Sequence, residues 1–154
     1  MTEDQEQLII KCLCGNEDAV RLAHMLANAS QVFDDLVDGD GSVTRQDLYN
    51  VLKDLLVNVH YNSFFSAYKA EMVVSLEQAV NSWIYANDIE ESKDPSLMHV
   101  SLVTKSSFTP LLLHMAALIG GAEHARRMAP EVYAAVFDET LDEYMEEHGV
   151  EHTY

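Results

Sequence analysis

Apolar residues recur every three or four positions along most of the chain, whereas the strict alternation that marks β-strands is nearly absent. One stripe with this spacing consists of Leu22, Met25, Leu26, Ala29, Val32, Phe33 and Leu36. A second stripe consists of Leu48, Val51, Leu52, Leu55, Leu56 and Val59. Because this spacing places apolar side chains on one face of a helix, the sequence predicts an all-α fold.

Residues typical of helix ends divide the chain into segments. Thr2 with Gln5, and Thr44 with Asp47, have the spacing of capping boxes, and Asn16 is typical of a helix N-cap. No internal repeat or low-complexity tract interrupts the pattern. We therefore predict one domain over residues 1–154, folded as a compact bundle of six to eight helices.

Later helix boundaries follow from glycine and proline. The stretch 61–91 contains neither residue, so it predicts one long helix or two helices joined near Lys69. Pro110 predicts a kink or a break, and Ala129-Pro130 predicts a division between the last two helices.

Composition excludes several classes of protein. An apolar fraction of 48% is too high for a disordered acidic chain. No apolar run approaches the roughly 20 residues of a membrane span, and the first residues are acidic, unlike those of a signal peptide. Cys12 and Cys14 are too close along one predicted helix to form a disulfide easily. These features predict a cytoplasmic protein.

The formal net charge of −17 comes largely from the two ends of the chain. Residues 1–10 contain three acids, residues 138–154 contain seven, and neither segment contains a lysine or arginine. This excess of acidic over basic residues argues against binding to nucleic acid or to an anionic membrane, since binding to either needs many contacts from lysine or arginine to phosphate. Cations, basic proteins and small molecules are the expected partners.

Four carboxylates, those of Asp34, Asp35, Asp38 and Asp40, lie within seven residues beside a predicted helix C-terminus. Anions are disfavoured there by the helix dipole and by their mutual repulsion. A hard divalent cation would remove this cost, so the cluster predicts a site for Mg²⁺, or for Mn²⁺ or Ca²⁺.

The spacing Asp34-Asp35-x-x-Asp38 resembles the metal-diphosphate motif of all-α isoprenoid synthases. The resemblance implies that these carboxylates hold Mg²⁺ against a substrate diphosphate. It covers five residues, and a second such motif is missing; the nearest acids on other helices are Asp88, Glu91 and Asp142.

Two other interpretations of the cluster remain open. From Asp38 to Asp47 the sequence resembles an EF-hand loop, although Leu36 occupies the first ligand position. Alternatively, Asp38-Gly39-Asp40-Gly41 is a good turn sequence, and the residues after it cap the next helix.

A set of polar residues outside the cluster is predicted to complete a pocket for a phosphorylated or diphosphate-bearing small molecule. The lysines would contact the anion, and the other members would form the wall of a polar cavity. These candidate substrate-binding residues are His24, Asn62, Lys69, Asn81, Asp88 and Lys105.

Four segments, FDDLVDGD, HYNSFF, NSWIYAN and LIGGAEHAR, make the chain resemble small all-helical proteins of tailed bacteriophages. The resemblance implies an accessory role in the host cytoplasm and no particular chemistry. Seven methionines and several broad apolar helix faces are compatible with a homodimer, although core packing explains them equally well.

Two functions follow from these patterns. The first is a metal-dependent protein that binds or processes a phosphorylated small molecule, with Asp34, Asp35 and Asp38 holding the ion. The alternative is a non-enzymatic acidic interaction protein, an inhibitor or a mimic of DNA charge, that engages a basic host protein. Its motivating feature is the acidic run from Asp138 to Glu151.

Overall fold

The computed structural model describes residues 1–151, and all regular secondary structure within them is helical. Helix α3 is continuous through α-helical Arg45–Lys53, π-helical Asp54–Asn58 and α-helical Val59–Tyr61. The other helices are α1 (Glu3–Cys12), α2 (Glu17–Asp38), α4 (Ser63–Ala67), α5 (Lys69–Ser92), α6 (Met98–Lys105), α7 (Phe108–Gly120), α8 (Ala122–Val136) and α9 (Leu141–Glu147).

The all-α prediction is confirmed, but these nine helices exceed the predicted six to eight. One reason is that residues 61–91 are divided at Tyr68, close to the junction predicted near Lys69. Another is a break at Ser106 and Ser107, which separates α6 from α7. This break lies just before Pro110, close to the kink or break that the proline predicts, and the two helices are bent by 43° across it.

The two prolines within predicted helices have different outcomes. Pro110 lies in the first turn of α7, where no intrahelical donor is lost, and the predicted division falls just before it, at Ser106 and Ser107. The predicted division at Pro130 is wrong, because α8 continues through it to Val136. Met128 and Val132 are buried on either side of Pro130, so core packing holds the helix together there.

The predicted caps are confirmed. Thr2 with Gln5 and Thr44 with Asp47 form complete capping boxes at the starts of α1 and α3. The Asn16 side chain accepts a hydrogen bond from the backbone N–H of Ala19 at 3.0 Å. These local bonds fix where α1, α2 and α3 begin.

The largest apolar core lies among α1, α2, α4, α7 and α8, with Leu13, Leu22 and Met115 fully buried. A smaller core packs α9 against α6 and contains Met98, Tyr144, Met145 and Val150. The acidic segment that begins at residue 138 is thus folded onto the protein as far as residue 151. Residues 152–154, predicted as part of the same acidic terminus, lie outside the described residues.

Within residues 1–151, no single helix has the length and apolar composition needed to cross a membrane. Helices α6 and α7, which are bent by 43° relative to each other, satisfy those requirements only when counted together.

Candidate functional site

A cleft of about 750 Å³ opens between the C-terminal half of α2, the end of α5, the end of α6 and the region around α9. Six carboxylates line it, together with one lysine and one histidine. We call it the acidic cleft, and its lining residues are Ser30, Gln31, Asp34, Asp38, Asp40, Trp83, Glu90, Leu102, Lys105, Ser106, Glu139, Tyr144, Glu147 and His148.

Lys105, the last residue of α6, supplies the positive charge at the base of the acidic cleft. Its Nζ lies 3.2 Å from Oε2 of Glu90, 3.6 Å from Oδ1 of Asp34 and 3.7 Å from Oδ1 of Asp38. Burial lowers the pKa of this ammonium, but the three carboxylates outweigh burial and leave the pKa raised. Lys105 therefore stays charged and ties α2, α5 and α6 together.

Glu90 is the least exposed carboxylate of the Lys105 cluster, with 12% of its side-chain surface accessible. The Tyr144 hydroxyl and Lys105 Nζ both donate to its Oε2, and His148 Nε2 lies 3.1 Å from its Oε1. Burial raises the Glu90 pKa, yet the Tyr144 hydrogen bond and the electrostatic effects of Lys105 and His148 reverse the shift and lower it. Glu90 is therefore an ionised structural anion.

Tyr144 holds α9 against α5 and α6. Its hydroxyl donates to Glu90 and lies 2.9 Å from the hydroxyl of Ser101, which in turn donates to the backbone carbonyl of Ala86 at 2.8 Å. Burial, and then the hydrogen bond to Glu90, raise the Tyr144 pKa well above its ordinary value. The phenol therefore remains a neutral donor.

His148 faces acceptors on both ring nitrogens. Nδ1 lies 2.8 Å from the backbone carbonyl of Tyr144, and Nε2 lies 3.1 Å from Oε1 of Glu90. A carbonyl and a carboxylate only accept hydrogen bonds, so a ring that carries a proton on each nitrogen satisfies both contacts. The neutral ring would leave one acceptor without a donor.

Glu139 and Glu147 form the outer wall of the acidic cleft, where like charges meet. Burial raises the Glu139 pKa, and both hydrogen bonding to Glu147 and the charge of Glu147 raise it further. The Asp38 pKa is also raised, first by burial and, against the opposing effect of Lys105, by the charges of Asp34 and Glu90. The cleft thus holds carboxylates whose charges are incompletely compensated.

An apolar groove of about 350 Å³ adjoins the acidic cleft. Ser30 and Trp83 line both, and the indole Nε1 of Trp83 donates to Oδ1 of Asp34 at 3.1 Å. Trp83 therefore presents its polar edge to the cleft while its ring lines the groove. The other groove residues are Leu26, Ala29, Phe33, Leu55, Leu76, Ala79, Val80, Ser107, Phe108 and Leu111.

Four residues predicted from the sequence meet at the acidic cleft: Asp34, Asp38, Asp40 and Lys105. Asp35, predicted as a metal ligand with them, is not part of the cleft lining. Its carboxylate instead accepts a hydrogen bond from Gln31 Nε2 at 2.8 Å.

The remaining predicted substrate-binding residues do not line the acidic cleft. His24 pairs with Glu6 at 3.0 Å. Asn62 is buried, where it caps α4 and donates to the Asp18 carbonyl at 2.8 Å. Three others lie elsewhere on α5, with Lys69 and Asp88 exposed and Asn81 half-buried. Tertiary packing, which helical spacing alone does not specify, directs these side chains away from the cleft.

Sequence reasoning missed Trp83, Glu90, Glu139 and His148 as members of the site. They are brought to Asp34 and Lys105 by the packing of α5, α6 and α9, and no fixed spacing along the chain connects them. One weak signal was present, since Trp83 is the only tryptophan of the chain.

Among residues 1–151, no group of three or more His, Cys, Asp and Glu side chains is placed to hold a metal ion. Two carboxylates of the EF-hand-like segment have local roles instead. Asp40 accepts hydrogen bonds from the backbone and the hydroxyl of Ser42, and Asp47 completes the Thr44 capping box. The Mg²⁺ site therefore stays a prediction from the aspartate spacing.

Comparison of the chain with protein-family models, curated proteins and solved structures finds no significant match.

Proposed function

We propose that this protein is an acidic interaction protein whose cleft binds a basic segment of a partner protein. The observation that carries the proposal is the lining of the acidic cleft, in which six carboxylates outnumber one lysine and one histidine. Charge complementarity of this kind steers basic partners toward an interface and discriminates against acidic ones.

The raised pKa values within the acidic cleft support the same function. Glu139 faces Glu147, and Asp38 faces Asp34 and Glu90, so negative charges are held close together in the protein alone. Cationic side chains entering the cleft would relieve this repulsion. Binding sites commonly retain such locally unfavourable arrangements because the ligand compensates for them.

A phosphorylated ligand fits the acidic cleft less well. Lys105, the cation predicted to contact phosphate, is already surrounded by Asp34, Asp38 and Glu90. The net negative charge of the cleft lining would therefore repel a phosphate unless a metal ion were bound first. The metal-dependent function stays an expectation drawn from the Asp34-Asp35-x-x-Asp38 pattern.

The test is a titration of the protein with a fluorescent oligolysine peptide, with an oligoglutamate peptide as the reverse-charge control. Oligolysine should bind, and its affinity should fall as salt is raised because salt screens the attraction between the peptide and the carboxylates. The double variant Glu139→Gln/Glu147→Gln should weaken binding about fivefold, as expected for two ion pairs near the protein surface.

The matched control is Glu77→Gln/Glu123→Gln, which removes the same charge from exposed positions outside the cleft. Equal losses of affinity in the two variants would show that overall charge, and not the cleft, determines binding, and would overturn the proposal.

Calorimetric titrations with Mg²⁺, Mn²⁺ and Ca²⁺ test the other function. Saturable binding that Asp34→Asn/Asp38→Asn abolishes, with no oligolysine binding, would favour the metal-dependent protein.

A further inference from the structure

The apolar groove beside the acidic cleft bears on the chemistry of the partner. The groove is lined almost entirely by carbon, with contributions from α2, α3, α5 and α7. Its volume of about 350 Å³ lies at the small end of the range for ligand pockets, about 300–1,000 Å³. The space therefore suits one or two bulky apolar side chains.

Two of the helices that line the groove carry further exposed apolar residues. Phe33 and Val80 line the groove yet are 42% and 52% exposed. Leu36 and Val37, one turn after Phe33 on α2, and Ile84, one turn after Val80 on α5, are also exposed. Several large apolar residues exposed on neighbouring turns are typical of interaction sites.

We infer that the apolar groove receives the apolar face of a basic amphipathic helix from the partner, whose lysine or arginine side chains enter the acidic cleft. This inference rests on the proposed function and specifies the partner's chemistry. Trp83 and Ser30 line both spaces, so a single segment can occupy them together. An amphipathic helix seats its apolar side chains in a groove while its polar face remains available to charges alongside.

Charge complementarity decides between this occupant and a second copy of the chain. The groove borders a cleft with six carboxylates, and the whole chain carries a net charge of −17. The acidic residues of a second copy would be repelled by the carboxylates of the cleft, whereas the lysine or arginine residues of a basic helix would be attracted to them. Acidic surroundings likewise disfavour the headgroups of an anionic membrane.

The experiment compares two synthetic peptides of equal length and charge. One is an amphipathic leucine/lysine helix, and in the other every leucine is replaced by serine. Binding is followed by the emission of Trp83, the only tryptophan, and by the anisotropy of the labelled peptide. The leucine peptide should bind about tenfold more tightly, as expected when a leucine side chain is buried.

Protein variants locate the apolar contact. Phe33→Asn/Val80→Asn should reduce the affinity for the leucine peptide to that for the serine peptide, without changing the latter. The matched control is Val73→Asn/Val74→Asn, which alters exposed apolar residues of α5 outside the groove. This control should retain the leucine preference.

The outcomes separate this inference from the proposed function. Equal affinity for both peptides, with salt-sensitive binding intact, would overturn the apolar docking and leave the acidic interaction standing. If neither peptide bound, the result would contradict the proposed function itself. Sedimentation showing a dimer that Phe33→Asn/Val80→Asn dissociates would assign the groove to a second copy and overturn the inference.

Discussion

The ammonium of Lys105 donates to the Glu90 carboxylate at 3.2 Å, a contact that joins the last residue of α6 to the last turn of α5. Both side chains are largely buried, at 18% and 12% exposure. Since removal of one member of a buried ion pair leaves the other charge uncompensated, this pair should dominate the stability of the cleft.

Lys105→Met should lower the free energy of unfolding by about 3 kcal/mol, because three carboxylates lose their common cation. Urea unfolding followed by circular dichroism measures the change. Lys69→Met is the control, since Lys69 is exposed and outside the cleft, and it should change stability by less than about 0.5 kcal/mol. Similar decreases in the free energy of unfolding of the two variants would contradict the structural role of Lys105.

Tyr144→Phe should destabilise the protein by about 2 kcal/mol, because it removes a hydrogen bond to a charged, buried acceptor while retaining the ring. Tyr85→Phe alters a tyrosine that is 59% exposed and should be close to neutral. Urea unfolding of both variants provides the comparison. A neutral Tyr144→Phe would show that the Glu90 contact contributes little.

The sequence predicts the helical class and several helix ends because those properties depend on nearby residues. Thr2 and Thr44 reach backbone groups three residues away, and the spacing alone identifies these caps. The cleft depends instead on contacts between distant segments, such as Trp83 with Asp34 and Tyr144 with Glu90. Helical periodicity indicates which face of each helix is apolar, but it does not indicate which helices pack against one another.

The Asp34–Asp40 segment shows the same division between local and tertiary effects. Sequence reasoning identified a concentration of carboxylates beside a helix end. It did not identify Lys105 as the cation that packs against Asp34 and Asp38, although Lys105 was among the candidate residues. An ammonium thus partly compensates the charge for which a metal was predicted.

Glu90→Gln should show a stability loss that depends on pH. The Glu90 pKa is lowered by Tyr144, Lys105 and His148 against the opposing effect of burial. An acid whose pKa is lower in the folded state stabilises it above the unfolded pKa, and that contribution disappears as pH falls through the folded pKa. The difference from wild type should therefore be full at pH 7 and shrink below the ordinary value of 4.5.

Thermal unfolding of wild type and Glu90→Gln between neutral and acidic pH measures this difference. Glu91→Gln, at an exposed neighbouring position, is the control and should show a much smaller pH-dependent difference. A gap between wild type and Glu90→Gln that grows as pH falls would have the wrong sign and would contradict the assigned role of the carboxylate.

Glu139→Gln should have the opposite effect on stability. The Glu139 pKa is raised by burial and by Glu147, so its ionised form opposes folding at neutral pH. Replacing it should raise the melting temperature at pH 7, and the gain should vanish as pH falls below the ordinary value of 4.5. The same variant should bind oligolysine more weakly, because it removes a negative charge from the cleft wall.

Stability and binding should therefore change in opposite directions at Glu139, which distinguishes a binding carboxylate from a structural one. Glu90→Gln provides the contrast, since its carboxylate is already engaged by Lys105 and Tyr144 and its loss should reduce stability. Melting temperatures and peptide affinities measured on both variants make the comparison. If Glu139→Gln lost stability and retained full affinity for oligolysine, the cleft wall would be part of the scaffold rather than the surface that receives a basic partner.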